Sequence, residues 1–520
     1  MFRRVVSTFL ACVVVACTPL VAVAGDTVAE DAHQRLSFVD GQPGIGQWLV
    51  RAGEDGQWRS LLSPPEQTRA STGQLRVHVP GLERGDWRVA ETEDDTLSLN
   101  ATAQSGGIRV SQRVELLGEP HRLQLKITFE NPSNRPWRAD GPVELRLGPG
   151  LGETPARGLG IAESLYSFVR PIAWDGDDVH LPEAAQSPTL AESLEWTGLY
   201  SRYFALLVKP TDPASIGGVS FVQPDSAAAS LPPRYLPEAL IDLGIDELAA
   251  GERAERDFLV FAGPRSRQAV SGDGTDFSRV LFPGLWDWMR QLCFALLWLL
   301  EAIYLVVPDW GLAIITLAVL VRLAMYPLAT RVLASQQEFV AAQRQIQPEI
   351  KRIKQQYRGG EQSERILQLY ESHGVSPLAG LKPLLIVLIQ IPVFIALFHV
   401  LGEAFELRDA SFLWIETLAE PDRLFGLGGN WPLIGEHFNL LPVLLAATTL
   451  ATLKLSPAPA MDAKAQHRQN IFLVAMAFGF LLLFYPFPSG MVLYWTAANA
   501  LHILQSRWAM RRSGSGDQAG

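Results

Sequence analysis

The sequence predicts a polytopic α-helical membrane protein, with a five-span core and a cytoplasmic helical hairpin, joined to an all-β sandwich. Three observations carry that prediction. Residues 26–275 hold many short runs of alternating apolar and polar residues, separated by Gly, Pro and Asp. From Leu281 the chain becomes apolar in helix-length runs. Lysines and arginines in that second part collect in alternate connections. The 520 residues are 48% hydrophobic and 19% charged, too apolar for an ordinary soluble enzyme and too polar for an all-membrane chain. At roughly 150 residues per domain, several domains are expected. The net charge of −10 is less informative than its distribution.

The first 25 residues are a targeting or membrane segment. "MFRRVVSTFLACVVVACTPLVAVAGD" places two arginines before an apolar run that ends in Ala22-Val23-Ala24. That pattern fits a secretory signal with a small-residue cleavage site. "VVAC" also resembles a lipoprotein box, which would make Cys17 a lipid anchor, and the run could be retained as a first span. In all three readings Arg3 and Arg4 stay inside, so residue 26 onward lies outside the cytoplasm.

Residues 26–275 form the sandwich. "HRLQLKITFEN" (121–131) alternates without a fault. Leu123, Leu125, Ile127 and Phe129 fall on one face, and Arg122, Gln124, Lys126, Thr128 and Glu130 on the other, as in a half-buried strand. "LRVHV", "TLSLNATA", "GIRVSQRVELL", "VELRLG", "YFALLV", "GVSFV" and "RDFLVFAG" are further strands. Many short strands without a long helix argue for a sandwich. "SRQAVSGDGTD" (266–276) is the linker out of it.

Two apolar segments follow, 281–307 and 310–330, split by "PDW". The next segment carries Arg331, Arg344, Lys351, Arg352, Lys354, Arg358, Arg365 and Lys382, so it belongs inside. Only one of the two segments therefore crosses. In 281–307, Asp287, Arg290, Gln291 and Glu301 fall within an arc of about 100° on a helix. Trp286, Trp288 and Trp298 add interfacial character. This segment is expected to be an amphipathic helix on the outer membrane surface. The span at 310–330 runs inward, and residues 331–380 form a helical hairpin broken at Gly359-Gly360. Four more spans lie within 383–508, at about 383–401, 438–455, 471–487 and 490–506, with a short tail, 509–520. The connection 402–437 is acidic and belongs outside. Lys454, Lys464 and Arg468, and the tail arginines, belong inside.

Arg322 interrupts the first of these spans in "AVLVRLAMYPL". A central arginine costs about 2.5–3.5 kcal/mol on insertion scales, and such charges normally pair within the bundle. The apolar stretches of the other spans hold no Asp or Glu. The groups left are neutral: Gln390, Thr448, Thr449, Thr496, Asn499, His399 and His502, with Tyr326 one helical turn away. Arg322 either snorkels to the inner headgroups or lines a water-containing cavity open to the cytoplasm. The missing carboxylates weigh against an ion-coupled transporter.

Other motifs are ordinary. Gln390-Ile391-Pro392 reads as a kink, with Gln390 bonding a freed carbonyl, or as a functional interruption. Tyr494-Trp495 reads as an interfacial anchor or as groove lining. "LGPGLGETPARGLG" (147–160) precedes no helix and reads as a loop, and "WDGDD" (174–178) as a turn. Three cysteines, Cys12, Cys17 and Cys293, form no CxxC or Cys/His cluster, so neither a metal site nor a disulfide framework is expected. No catalytic Ser/His/Asp set is visible, no cofactor is implied, and nucleic-acid recognition has no support beyond basic loops that topology explains.

"VRLAMYPL", "QPEIKRIKQQY", "GVSPLAGLKPLLIVLIQIPVFIALF", "LKLSP" and "FPSGMVLYWTAAN" together resemble the YidC-type membrane protein insertases, in order and spacing, over about 281–508. "GLYSRYFALLV" and "FLVFAGP" resemble the large periplasmic domain of that family's Gram-negative form. The resemblance implies a non-enzymatic inner-membrane insertase and chaperone. Its partners would be nascent membrane proteins and the lipid bilayer, with or without the Sec translocon and the ribosome. It further implies a hydrophilic groove, open to the cytoplasm and to lipid, whose contact positions map onto Ala318, Arg322, Phe394, Leu483 and Trp495. Tyr326, Gln390, Thr448 and Asn499 complete the expected lining. The chain departs from the family at Ala318, where a threonine is common, and at Leu483, where an aromatic is. The first segment looks cleavable or lipidated, and no long basic tail follows the last span. A solute transporter, or an envelope enzyme acting on sugar through the β-region, are the competing readings.

Overall fold

A computed structural model describes residues 28–38, 44–53, 56–62, 74–83, 86–90, 98–105, 107–152, 168–182, 194–223, 237–272, 275–372, 382–431, 434–455 and 463–516. Cys17, with the whole segment 1–25, lies outside the described residues, as does most of the 147–160 glycine loop.

The β-region is built on a nine-stranded antiparallel sheet. Its spatial order is Val179–His180, Arg170–Trp174, Trp196–Tyr200, Phe204–Pro210, Arg253–Pro264, Arg122–Glu130, Ile108–Leu116, Ser98–Ser105 and Trp87–Ala90. A four-stranded sheet runs Gly218–Val222, Glu238–Asp242, Glu144–Leu147, Arg76–His78. A second runs Val28–Glu30, Gln34–Phe38, Ile45–Arg51, Trp58–Ser60. All three sheets feed one hydrophobic core, in which Trp48, Leu125, Phe129, Leu145 and Val260 are fully buried.

The alternation in 121–131 holds on its apolar side, where Leu123, Leu125, Ile127 and Phe129 are all buried. Its polar side is corrected at two positions, Thr128, 7% exposed, and Arg122, 3% exposed. Its guanidinium lies over the Phe261 ring and donates to the carbonyls of Pro120, at 3.2 Å, and Ser271, at 3.3 Å. A second layer covers the sheet there. In Phe204–Pro210, Phe204, Leu206 and Val208 enter the sandwich core. Ala205 and Leu207 enter a second core with Trp196, Phe261, Phe277 and Phe282. This end of the sheet is buried on both faces, and its strands read as continuous apolar runs.

That second core continues into the helices. These are α1 (Arg267–Val270), α2 (Asp287–Val306), α3 (Trp310–Gln356), α4 (Gly360–Ser372), α5 (Lys382–Glu403), α6 (Leu440–Leu455), α7 (Ala463–Phe484) and α8 (Ser489–Gly516). Residues 310–330 and the first arm of the expected hairpin are one uninterrupted helix, α3, which passes through Pro327 and Pro348. The break falls just before Gly360, and Gly359 takes the left-handed φ of +68° that the turn requires. α5 likewise continues through Pro392. By length and composition, Asp287–Val306 and Trp310–Pro327 are apolar and long enough to cross a membrane, while Gln390–Glu403, Leu440–Thr452 and Asn470–Phe484 are shorter apolar stretches.

The sandwich is fastened to the helices by side chains that reach across the seam. Arg265, 3% exposed, meets Glu403 at the end of α5 at 3.2 Å, and His399 Nδ1 lies 2.8 Å from the other oxygen of Glu403. Arg202 donates to the carbonyls of Gly402, at 2.8 Å, and Ala419, at 2.9 Å. Arg267 of α1 holds Glu301 of α2 at 3.1 Å. Phe405 belongs to the sandwich core itself, edge-on to Phe204 at 5.8 Å. "WDGDD" is a turn, in which Asp175 accepts from the backbone of Asp177 and Asp178 and meets His180 at 2.7 Å.

Candidate functional site

Asp309 starts α3 by accepting the backbone N–H of Leu312 at 2.8 Å, the usual remedy for an unpaired amide in a first turn. Tyr304 stacks on Trp310 at 4.0 Å and fixes the turn out of α2. Ala313, Ile314, Leu317 and Ala318 then pack into the second core, with Ala318 only 1% exposed. Arg322 comes one turn later. It lies about 18 Å along the helix from Trp310, at 1.5 Å per residue.

Arg322 is half-buried. Its Nε donates to Oε1 of Gln505, on α8, at 3.3 Å. Tyr494 and His502 of α8 lie within electrostatic range of it. Among the described residues no carboxylate stands within ion-pair distance of this guanidinium. Sequence reasoning missed Gln505, which falls at the very end of the last apolar run. The signal was present: Tyr494, His502 and Gln505 lie within about 80° of one another on a helix of 3.6 residues per turn.

The other sequence-derived positions fall into separate places. Phe394 of α5 stacks on Trp495 of α8 at 4.8 Å, and Trp495 meets Phe484 edge-on at 4.6 Å. Leu483, beside Phe484, is 57% exposed, and Tyr326 is 54% exposed. Gln390 is exposed. Thr448 turns its hydroxyl back onto the carbonyls of Leu444 and Leu445, while Asn499 reaches the neighbouring Thr449 at 2.9 Å. Helix α8 is thus the common wall. Tyr494, His502 and Gln505 face Arg322, Trp495 faces α5 and α7, and Asn499 faces α6. No group of three or more metal-ligating side chains occurs among the described residues.

A cavity of about 820 Å³ opens elsewhere, at the seam, lined by His33, Arg51, Arg267, Trp298, Glu301 and Asp409 among others. His121 also lines it, 5% exposed, with its pKa pushed down to about 4 by burial and by the charges of His33 and Arg122. This cavity is remote from Arg322, and its charged groups are largely engaged: Arg267 by Glu301, and Asp409 by Arg59 at 2.8 Å.

Comparison with known proteins places the helical part. The family described as 60Kd inner membrane protein matches residues 302–515. The chain is 30% identical over 321 residues to the membrane protein insertase YidC of Janthinobacterium sp. (strain Marseille), covering 61% of this chain and 52% of that one. It is 28% identical over 501 residues to the YidC of Thioalkalivibrio sulfidiphilus (strain HL-EbGR7), covering 89% and 81%. The chain therefore spans about half the length of the first of these relatives. A crystal structure of active YidC insertase with its first transmembrane domain resolved matches 92% of this chain and 94% of that one, with 18% identity and a TM-score of 0.33. Order, spacing and matched length agree: residues 302–515 match the 60Kd inner membrane protein family, and the chain is similar to YidC insertases over most of its length.

Proposed function

We propose that the chain is a membrane protein insertase and chaperone, acting on nascent inner-membrane proteins through a hydrophilic groove between α3, α5, α6, α7 and α8. The observation that carries this reading is Arg322. It is a half-buried cation on an apolar helix, and its side-chain partner is the neutral Gln505. A guanidinium so placed favours water and an incoming acidic or polar group over hydrocarbon. A hydrated pocket shortens the apolar distance that a polar segment must cross. Arg322 holds that segment transiently, and the following apolar helix slides into lipid past the exposed flank of Tyr326 and Leu483. No bond is made or broken, so the activity needs no catalytic residue and no cofactor.

The five helices are the membrane spans in this reading, and α2 lies on the outer surface. The ion pair of Glu301 with Arg267 supports that placement, as do the exposed rings of Trp286, Trp288 and Trp298. The sandwich is periplasmic; the 331–380 hairpin and the tail are cytoplasmic, as the basic connections require. The hairpin is where a ribosome would meet the chain, and the Sec translocon is a partner beside it in the membrane.

The test is complementation of an insertase-depleted strain, with pulse-labelled insertion of a single-span substrate that has an acidic external tail. The wild-type chain should restore insertion, Arg322→Ala should lower it severalfold, and Arg322→Lys should retain most of it. Full activity of Arg322→Ala would remove the arginine from the mechanism. No insertion by the wild-type chain would overturn the insertase reading itself.

A further inference from the structure

Between α5 and α6 the chain forms a β-hairpin, Phe425–Trp431 paired with Gly435–Phe438, that the insertase reading does not use. Its root is fixed. Leu424 donates its N–H to the carbonyl of Phe438 at 2.9 Å, and Arg423 donates its own to Oδ1 of Asn439 at 3.1 Å. Asn439 Nδ2 donates to the carbonyl of Tyr485 at 2.8 Å, and the Tyr485 hydroxyl donates to the carbonyl of His437 at 3.1 Å. Asp422 accepts the first amides of α6, from Leu440 at 2.8 Å and Leu441 at 3.1 Å. The hairpin therefore springs from the end plane of the bundle, where α6 begins and α7 ends.

Beyond the root it stands clear of the protein. A Cβ added at Gly426, Gly428, Gly429 or Gly435 would meet nothing within 4 Å. Phe425 stacks on Phe438 at 5.0 Å, yet Phe425 is 52% exposed, Trp431 57% and Ile434 41%. Residues 424–435 contain no charged side chain, whereas Glu406, Asp409, Glu416, Glu420 and Asp422 crowd the stretch just before them. Glu436, on the strand that returns to α6, is the one carboxylate within the hairpin. A free two-stranded hairpin is marginal in water, and one with exposed aromatic rings adds the cost of wetting them.

We propose that this hairpin is a membrane-surface anchor, with Phe425, Trp431 and Ile434 seated at the headgroup–acyl boundary of the bilayer. Helix α6 follows the hairpin root directly and leaves Leu444 exposed on its first turns. Seven residues of strand reach about 20 Å, so the hairpin spreads along the bilayer surface beside the bundle. Tryptophan with an apolar body and an N–H donor suits that depth.

The test uses the full-length chain with Cys12, Cys17 and Cys293 replaced by Ala. An environment-sensitive fluorophore is attached at Trp431→Cys, Ile434→Cys or, as the wet control, Glu416→Cys. The protein is reconstituted into vesicles of phosphatidylethanolamine and phosphatidylglycerol, with and without acyl-chain nitroxide. Emission from positions 431 and 434 should be quenched severalfold more by the lipid nitroxide, and less by iodide, than emission from 416. Two reporters guard against a local effect of losing Trp431. Equal iodide access at 431, 434 and 416 would overturn the proposal. So would shielding seen only in native inner-membrane vesicles, which would assign the hairpin to a protein partner instead. The nitroxide sits in both leaflets, so an error in the proposed orientation would leave this result unchanged.

Discussion

Arg322 and His121 show how differently a half-buried and a buried basic group are handled. Arg322 keeps its charge and meets a neutral amide, and the severalfold loss expected for Arg322→Ala follows from that charge rather than from packing. Replacing Gln505 with Leu should leave the charge but free the guanidinium. Insertion should then fall less than with Arg322→Ala, and a loss as large would show that orientation matters as much as charge. His121 gives up its charge, with a pKa near 4 against an ordinary 6.5. Above pH 6.5 the ring is neutral in both the folded and unfolded chain. As pH falls from 6.5 towards 4, the unfolded chain takes up a proton that the folded one refuses. Stability is lost over that window, by about 3 kcal/mol if the whole shift is expressed. His121→Asn tolerates the backbone φ of 61° and should flatten the fall in thermal midpoint between pH 6.5 and 4. An unchanged slope would assign the acid sensitivity to other groups. Arg322 was legible as an anomaly in an apolar run. Its partner was not, because an amide at a helix end carries no signal of its own until the neighbouring helix is placed.

At the scale of elements, apolar runs and glycine breaks located nearly every helix, since length and composition decide those. Continuity was harder to read. The change from apolar to basic near residue 330 marks a change of composition, but a helix crosses it without interruption, and α3 does so. The strands were legible where one face meets water. They were harder where both faces are covered, as at Ala205 and Leu207, because the second cover arrives from residues 269–282, distant in sequence. The start of α3 depends on one close approach. A Cβ at Gly311 would fall 2.1 Å from the Phe412 ring. Gly311→Ala should therefore destabilise the chain by about 1–3 kcal/mol through overpacking. Pairing it with Phe412→Ala should recover part of that loss, and strictly additive effects would refute the clash.

For the whole molecule, the decisive feature is the seam. The sequence reads 266–276 as a linker. The structure instead places Arg265, Arg267 and Phe405 across the join, so the linker is pinned on both sides. None of these contacts has a local signature, since each joins residues far apart in the chain. Removing the Phe405 ring should cost about 3–5 kcal/mol, as for a buried phenylalanine. Phe405→Ala, or Arg265→Met, should thus speed protease cleavage within 266–276 of the membrane-reconstituted chain. Wild-type cleavage rates in both variants would show that the seam is not what holds the sandwich.

One helix links the two ends of this architecture mechanically. With 47 residues, α3 is a rod of about 70 Å, gripped near one end, where Ala313, Ile314 and Leu317 are buried. Used as a lever about that grip, a tilt of about 5° moves Arg322 by about 1 Å and Gln356 by about 5–6 Å, from the rise per residue alone. A body bearing on the far end of the rod therefore works at a mechanical advantage of about six over the charge near its fulcrum. Displacements of several ångströms at the hairpin become fine adjustments of where that charge sits.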